Sequence, residues 1–326
     1  MKSERTSSSL RRAALWLAVL GASFAMIGAC KQETKVAPEP ASSGSGGSAS
    51  GGAGGASPGR ECPSGKGPAM ALLPATDGSK YCMDVRETTR AEYDAFVKAK
   101  AGGTSGQPAL CSWNTSFTPT LVSQDADTFP SPYYCYDSDW NNMRPDQAVS
   151  CVDFCDALAY CQWAGKRLCG RVGKGADSVD QFAGTLQDFT TFIQTVAKSP
   201  QSEFINACTQ EGKTAYPYGD TYQPGVCIDQ TWVQQHGATA LDVTNTASRQ
   251  CHGSVAPFNG VYDLSGGVTE WQNVCYQQAG WSCLLSGSPW NNSPATSQAC
   301  ADYVGATSME QVATDLGFRC CADPVR

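Results

Sequence analysis

Histidine is almost missing from this 326-residue chain, which carries only His236 and His252. Two imidazoles outside any H-x-x-x-H or H-E-x-x-H spacing argue against the histidine clusters that hold non-haem iron or catalytic zinc. Charge is also scarce. Asp, Glu, Lys and Arg make up 16% of residues, below the ~25% usual for globular chains. No basic stripe interrupts the formal net charge of −7. Nucleic acid is therefore not an expected partner, and neither is an anionic lipid surface bound through charge. P-loop, nucleophile elbow and Gly-rich dinucleotide fingerprint are all missing, as is any self-similar period of 20–50 residues. The longest apolar run, residues 13–27, falls short of the ~20 residues that span a bilayer.

That run has another use. Lys2, Arg5, Arg11 and Arg12 surround its start, and it leads into "MIGAC", with Gly28 and Ala29 directly before Cys30. A basic start, a short apolar stretch and small residues before a cysteine read as a bacterial lipoprotein signal peptide over 1–29, with lipid on Cys30. Several acyl chains on one residue anchor stably where one chain holds only marginally. Lys31, in place of Asp after the cysteine, points to the outer membrane, so the expected location is the bacterial cell envelope. Residues 30–60, including "SSGSGGSASGGAGGASPG", offer almost nothing large and apolar to bury and read as a flexible tether. A coil of about 30 residues reaches about 30 Å r.m.s.. Residues 61–326 remain as the folded domain. Removing 1–29, with one Lys, three Arg and one Glu, takes the formal charge from −7 to −10.

What the chain has in excess is cysteine, 17 in all. With Cys30 assigned to lipid, 16 remain, and an even set in an exported domain reads as a disulfide framework. Metal ligation would call for C-x-x-C or Cys/His clusters, and no C-x-x-C occurs. Sixteen cysteines allow about two million pairings. Cys62 with Cys82, Cys111 with Cys135, and Cys275 with Cys283 are the short-range candidates. In "SCVDFCDALAYCQWAGKRL", Ser150 and Asp153 take capping positions for a helix bearing Cys151 and Cys155 at i, i+4. Their Cβ atoms would lie ~5–6 Å apart, against the ~3.8 Å of a disulfide, so each should bond outward.

"ETTRAEYDAFVKAKAGG" predicts a second helix, with Thr89 as N-cap, Glu92 closing a capping box, Tyr93, Phe96 and Val97 inward, and Gly102 as stop. "DSVDQFAGTLQDFTTFIQTVAKSP" has a weaker helical period through Phe182, Leu186, Phe189 and Ile193. Elsewhere strands are short and Gly, Pro, Asn and Asp mark frequent turns. The expected fold class is an irregular α+β domain, loop-rich and disulfide-rich. Trp163, Trp271 and Trp290 read as core packing.

Six stretches then form a pattern: "YCMDVRETTRAEYDAFV" (81–97), "PDQAVSCVDFCDALAYCQWAGKRL" (145–168), "SEFINAC" (202–208), "YPYGD" (216–220), "FNGVYDLSGGVTEW" (258–271), and "LSGSPWN" (285–291) followed by "DLGFRC" (315–320). In this order they resemble the formylglycine-generating enzyme, or sulfatase-modifying factor, family. The resemblance implies an irregular C-type-lectin-like fold. Cys169 to Gln201 form an insertion relative to the family pattern.

The resemblance also implies chemistry. Family oxidases hold copper(I) between two thiolates shortly after the "GGS" element, and soft thiolates suit that ion. Here residues 287–298 hold no cysteine, and Asn291 falls about where the first ligand should be. Copper is therefore not expected, and the favoured reading is a catalytically silent, membrane-tethered module that binds a protein, peptide or glycan. One alternative is an oxidase whose copper pair is rebuilt from Cys300 with Cys320 or Cys321. Another is a lectin-like glycan binder using the duplicated "WNN" at 140–142 and 290–292. The family further implies structural calcium, held by the carboxylates of Asp263 and Glu270 and the carbonyls of Gly266 and Val268. Hard oxygens on a turn are what calcium takes. A second family calcium site near "GVCID" (225–229) has a cysteine in place of the expected asparagine.

Overall fold

A computed structural model describes residues 61–325 except 120, 122–134, 176–177, 238–239, 247–248, 279 and 292–297. The expected signal peptide, Cys30 and the tether lie outside the described residues. The domain opens with a hairpin, β1 (Met70–Pro74) and β2 (Lys80–Asp84), followed by α1 (Arg90–Lys100). After α2 (Asp137–Asn142) and α3 (Phe154–Trp163) come β3 (Arg167–Leu168) and β4 (Asp180–Phe182). Three more helices follow: α4 (Leu186–Phe192), α5 (Glu203–Cys208) and α6 (Gln230–His236). The last part holds β5 (Thr269–Gln277), β6 (Trp281–Ser286), β7 (Val304–Ser308), β8 (Leu316–Gly317) and β9 (Cys320–Ala322).

Two small sheets organise these strands. One is antiparallel, in the order β1-β2-β9-β3, so β9 fills the gap between the hairpin and β3. The other runs β4-β5-β6-β7, with β8 pairing β5 in parallel. A single backbone bond, Asn273 N to Cys169 O at 2.6 Å, ties β5 to the residue after β3. Short strands, six helices among the described residues and long connections make a loop-rich α+β domain.

Local sequence explains α1 well. Thr89 caps it, Glu92 returns the reciprocal bond, and Tyr93 and Phe96 are fully buried. Helix α3 differs, because every residue from Phe154 to Cys161 is buried. A helix buried on every face belongs inside a core. Its N-cap is Asp153, whose side chain accepts from the Asp156 N–H, and the helix begins after Cys151 rather than with it. Cys151 sits at φ 63°, its N–H donating to Ala313 O. Long-range bonds thus hold residues 148–152 out of the helix that local spacing predicted.

The third predicted helix is also shorter. Phe182 belongs to β4, Leu186 is half exposed, and Phe189 and Phe192 supply the buried face of α4. A single π-helical stretch, Ile193–Ala197, continues it.

Around α3 lies the larger core, where Tyr93, Phe96, Phe154, Tyr160, Trp271 and Phe318 pack together. Each fully buried side chain of this size contributes ~1.5–3 kcal/mol. Trp271 is fully buried with its Nε1 donating to Val152 O at 3.0 Å, as the packing reading expected. A second core joins the β1–β2 hairpin to α4, α5 and the far end of β5.

Eight disulfides cross-link the domain. Cys62–Cys82 and Cys275–Cys283 pair as expected. Cys111 bonds Cys155 instead of Cys135, and Cys135 bonds Cys151. The expected outward staples are therefore real, but only Cys155 lies on α3. Cys161–Cys320, Cys169–Cys321, Cys208–Cys300 and Cys227–Cys251 complete the set.

Candidate functional site

The turn at 262–268 starts with Asp263 in the left-handed region at φ 58° and continues through Gly266 at 80° and Gly267 at 69°. A Cβ on Gly266 would collide with Ile228 O, and one on Gly267 with Glu87 Oε1. Both backbone angle and space demand glycine here. The close approach is used: Gly267 N donates to Ile228 O at 2.8 Å, and Trp290 N donates to Gly267 O at 2.8 Å.

Under this turn, Arg319 is fully buried between β8 and β9. Its Nε lies 2.9 Å from each oxygen of Glu270, and Nη2 lies 2.8 Å from Glu270 Oε1. Nη1 donates to Tyr262 O at 2.9 Å and Nη2 to Asp263 O at 3.2 Å. Glu87 Oε2 stands 3.5 Å from Nη2. Arg249 Nη2 is 3.5 Å from Asp263 Oδ2 and donates to Asp242 O. Three buried carboxylates thus share two guanidiniums. Burial pushes Glu87 up to about 8, with Arg319 opposing that and Asp263 and Glu270 adding repulsion. Burial also raises Asp263 and Glu270, against the pull of the arginines.

The structure therefore brings the four expected calcium positions together on one turn, but as an ion-pair cluster. Asp263 suits a cation, since both its carboxylate oxygens are buried without a hydrogen-bond partner. Glu270 does not, because Arg319 engages both of its oxygens. One carboxylate, itself facing Arg249 at 3.5 Å, and two carbonyls fall short of the six to eight oxygens calcium takes. As a calcium cage, the set does not fit.

Glu87, Arg249 and Arg319 had no role in the sequence reading. The signal was present in "DLGFRC", where an arginine inside an apolar run must find a buried carboxylate. Among the described residues, one other cluster has metal-like spacing: Cys169, Glu203 and Cys321. Its two sulfurs are bonded to each other and offer no thiolate.

A groove of 590 Å³ runs beside this turn, walled by β7 and by the strand-like return through Ala313 and Leu316. Thr269 and Leu285 also line it, with Asp302 and Asp315 as its charged residues and no cation in the lining. Asn291 Nδ2 donates to Asp315 Oδ2 at 2.9 Å, which ties Asn291 to the groove wall. Asp315 O in turn accepts from Thr269 N at 2.7 Å.

The family model described as "Sulfatase-modifying factor enzyme 1-like domain" matches residues 46–324. The chain belongs to the sulfatase-modifying factor family. Solved structures similar to this sulfatase-modifying factor domain include PvdO from Pseudomonas aeruginosa, at 17% identity, covering 78% of this chain and 91% of that one, with a TM-score of 0.42. CarF matches at 13% identity, over 80% and 96% of the two chains, with a TM-score of 0.38. Treponema denticola variable protein 1 matches at 15% identity, over 80% and 94%, with a TM-score of 0.32.

Within this sulfatase-modifying factor domain, the alternative copper pairs do not form. Cys300 is bonded to Cys208, Cys320 to Cys161 and Cys321 to Cys169. The "WNN" repeats do not make matching platforms either. Trp140 is buried, with the Arg90 guanidinium 3.6 Å over its ring and Tyr93 at its edge. Trp290 is half-buried against Val268, and Asn292 lies outside the described residues.

Proposed function

We propose that this sulfatase-modifying factor domain is catalytically silent and acts as a binding module, tethered to the bacterial envelope through lipid on Cys30. One observation carries the reading: all 16 cysteines after Cys30 are consumed in eight disulfides. Copper(I) chemistry needs thiolates, and the amide of Asn291 is a poor substitute. The groove beside Asn291 supports a binding role. Its Asp302 and Asp315 suit a neutral or positively charged ligand, protein, peptide or glycan, over an anionic one.

The test of silence uses purified, copper-treated protein, oxygen, a thiol reductant and a peptide carrying a Cys-x-Pro-x-Arg motif. The expected result is no aldehyde product and no tight Cu(I) binding, with no free thiol titrating in denaturant before reduction. Copper-dependent aldehyde in the mass spectrum would overturn the reading. The tether is tested separately: Cys30→Ala should move the protein out of the membrane fraction after detergent-free lysis, and unchanged partitioning would assign the anchor elsewhere.

A further inference from the structure

Strand β7 ends its sheet, and Val304 to Thr307 of that strand line the acidic groove. The register decides which of its backbone groups point outward. Met309 N donates to Trp281 O, and the β6–β7 pairing continues from there, with Ser308 opposite Ser282 and Thr307 opposite Cys283. Hydrogen-bonded and non-bonded pairs alternate along an antiparallel ladder. Gly305 and Thr307 therefore bond β6, while Val304, Ala306 and Ser308 turn their backbone groups away from it. Ala306 and Ser308 are exposed, and among the described residues the Ala306 N–H and C=O and the Ser308 N–H meet no partner. Natural sheets guard such edges with lysine, proline or bulges. Here "VGATS" carries no charge and no proline, and its register with β6 is unbroken. A Cβ on Gly305 would meet no described atom within 4 Å, so the strand has open space beside it. The groove adds charge of one sign. Asp302 accepts from Ala299 N and Asp315 from Asn291 Nδ2, each through Oδ2, which leaves each Oδ1 without a hydrogen bond among the described residues.

We propose that an extended segment of a partner polypeptide, carrying lysine or arginine, adds to β7 as a further strand of the sheet. The inference rests on reading the groove as a binding site, and it names the occupant. Main-chain bonds to Ala306 and Ser308 hold the segment, and its cationic side chains meet Asp302 and Asp315. A glycan has no row of alternating N–H and C=O groups to match this edge. A second copy of the domain would bring another set of carboxylates to the same groove, where like charges repel. The edge reads backbone and charge, so a generic basic strand is a sufficient probe.

Fluorescence polarisation of the full-length protein with a labelled peptide of alternating lysine and valine tests it. The peptide should bind, more weakly as salt rises, and a glutamate–valine counterpart should not. N-Methylation of every second backbone nitrogen keeps the charge and removes the strand bonds, so it should weaken binding at least about tenfold. Ala306→Pro removes an N–H that β6 does not use, which an edge strand tolerates. It should leave the melting temperature unchanged and weaken the lysine peptide at least about tenfold. Should that variant fail to fold, Asp302→Lys on the exposed rim decides, by weakening the lysine peptide and admitting the glutamate one. Residue-resolved amide exchange should be fast at Ala306 and Ser308 in the free protein and slow once peptide is bound. No binding, or protection of both amides before peptide is added, would overturn the proposal. So would a dimer in sedimentation that Ala306→Pro separates, because the edge would then belong to a second copy. Binding indifferent to N-methylation and to Ala306→Pro would overturn the strand pairing and leave the binding module standing. Copper-dependent aldehyde formation would instead remove the silent reading and leave the edge untouched.

Discussion

Asp153 and Asp156 sit one turn apart at the start of α3, both buried, with Asp153 capping the helix through the Asp156 N–H. Asp156 also accepts from Asn114 Nδ2 at 2.8 Å. Burial pushes Asp153 up to about 7, and burial together with its neighbour's charge pushes Asp156 well up. For acids raised on folding, the native state binds more protons than the unfolded one between the two pKa values, so stability falls as pH rises. Their contribution is fully present below about pH 4, the ordinary carboxylate range, and lost as pH climbs through about 7. Asp156→Asn keeps the shape and the bond to Asn114 while removing one charge. It should raise stability at pH 8, where burial and the neighbouring charge oppose ionisation of the pair, and change little at pH 4.5. Denaturant melts of both proteins at the two pH values check this; equal melts at pH 8 would show that the pair is not strained by ionisation. Sequence reading found Asp153 as a capping residue but had no route to the buried pair, whose second member takes its side-chain hydrogen bond from Asn114, 42 positions away.

Elements were legible in proportion to how locally they are determined. Helix α1 could be read in full because its cap, box and buried face lie within about a dozen residues. Helix α3 was placed three residues early, because Cys151 answers to Cys135 and Ala313 rather than to its own spacing. Phe182 matched the helical period that leads into α4 but belongs to β4, and Leu186, the first residue of α4, is half exposed. The ion-pair cluster is the extreme case, since Arg319 joins β5, the 262–268 turn and Glu87, up to 232 positions away in sequence. The double glycine gave the turn in advance, and "DLGFRC" offered a buried arginine without naming its partners. Arg319→Met should leave Glu270 and Glu87 buried without a counterion, at a cost of about 3–5 kcal/mol, and the variant should be recovered unfolded or with a greatly lowered melting temperature. Because the guanidinium holds Glu270, a calcium chelator should leave the melting temperature of the unaltered protein where it was. A clear fall on chelation would instead mean that a cation completes Asp263.

At the scale of the whole domain, cross-links dominate. Each disulfide typically contributes ~2–4 kcal/mol, against a total stability of ~5–15 kcal/mol for a native domain. Reduction should therefore unfold the domain under conditions in which the oxidised form shows no thermal transition. Circular dichroism with and without dithiothreitol reads this directly, and a reduced protein that melts like the oxidised one would place the stability in the two cores. The family and fold class were legible at this scale from motif order, whereas six of the eight pairings were not, because partners such as Cys161 and Cys320 lie 159 residues apart. The position of β9 has a consequence for how the protein is made. Three consecutive residues, Arg319, Cys320 and Cys321, neutralise the buried acids and bond α3 and the residue after β3. A nascent chain that has emerged only as far as Phe318 has a hairpin and β3 with no strand between them. It also carries two unmatched thiols, Cys161 and Cys169, only eight residues apart. Until those three residues arrive, the first sheet lacks its third strand, and those two thiols are open to each other and to any oxidant that reaches them first.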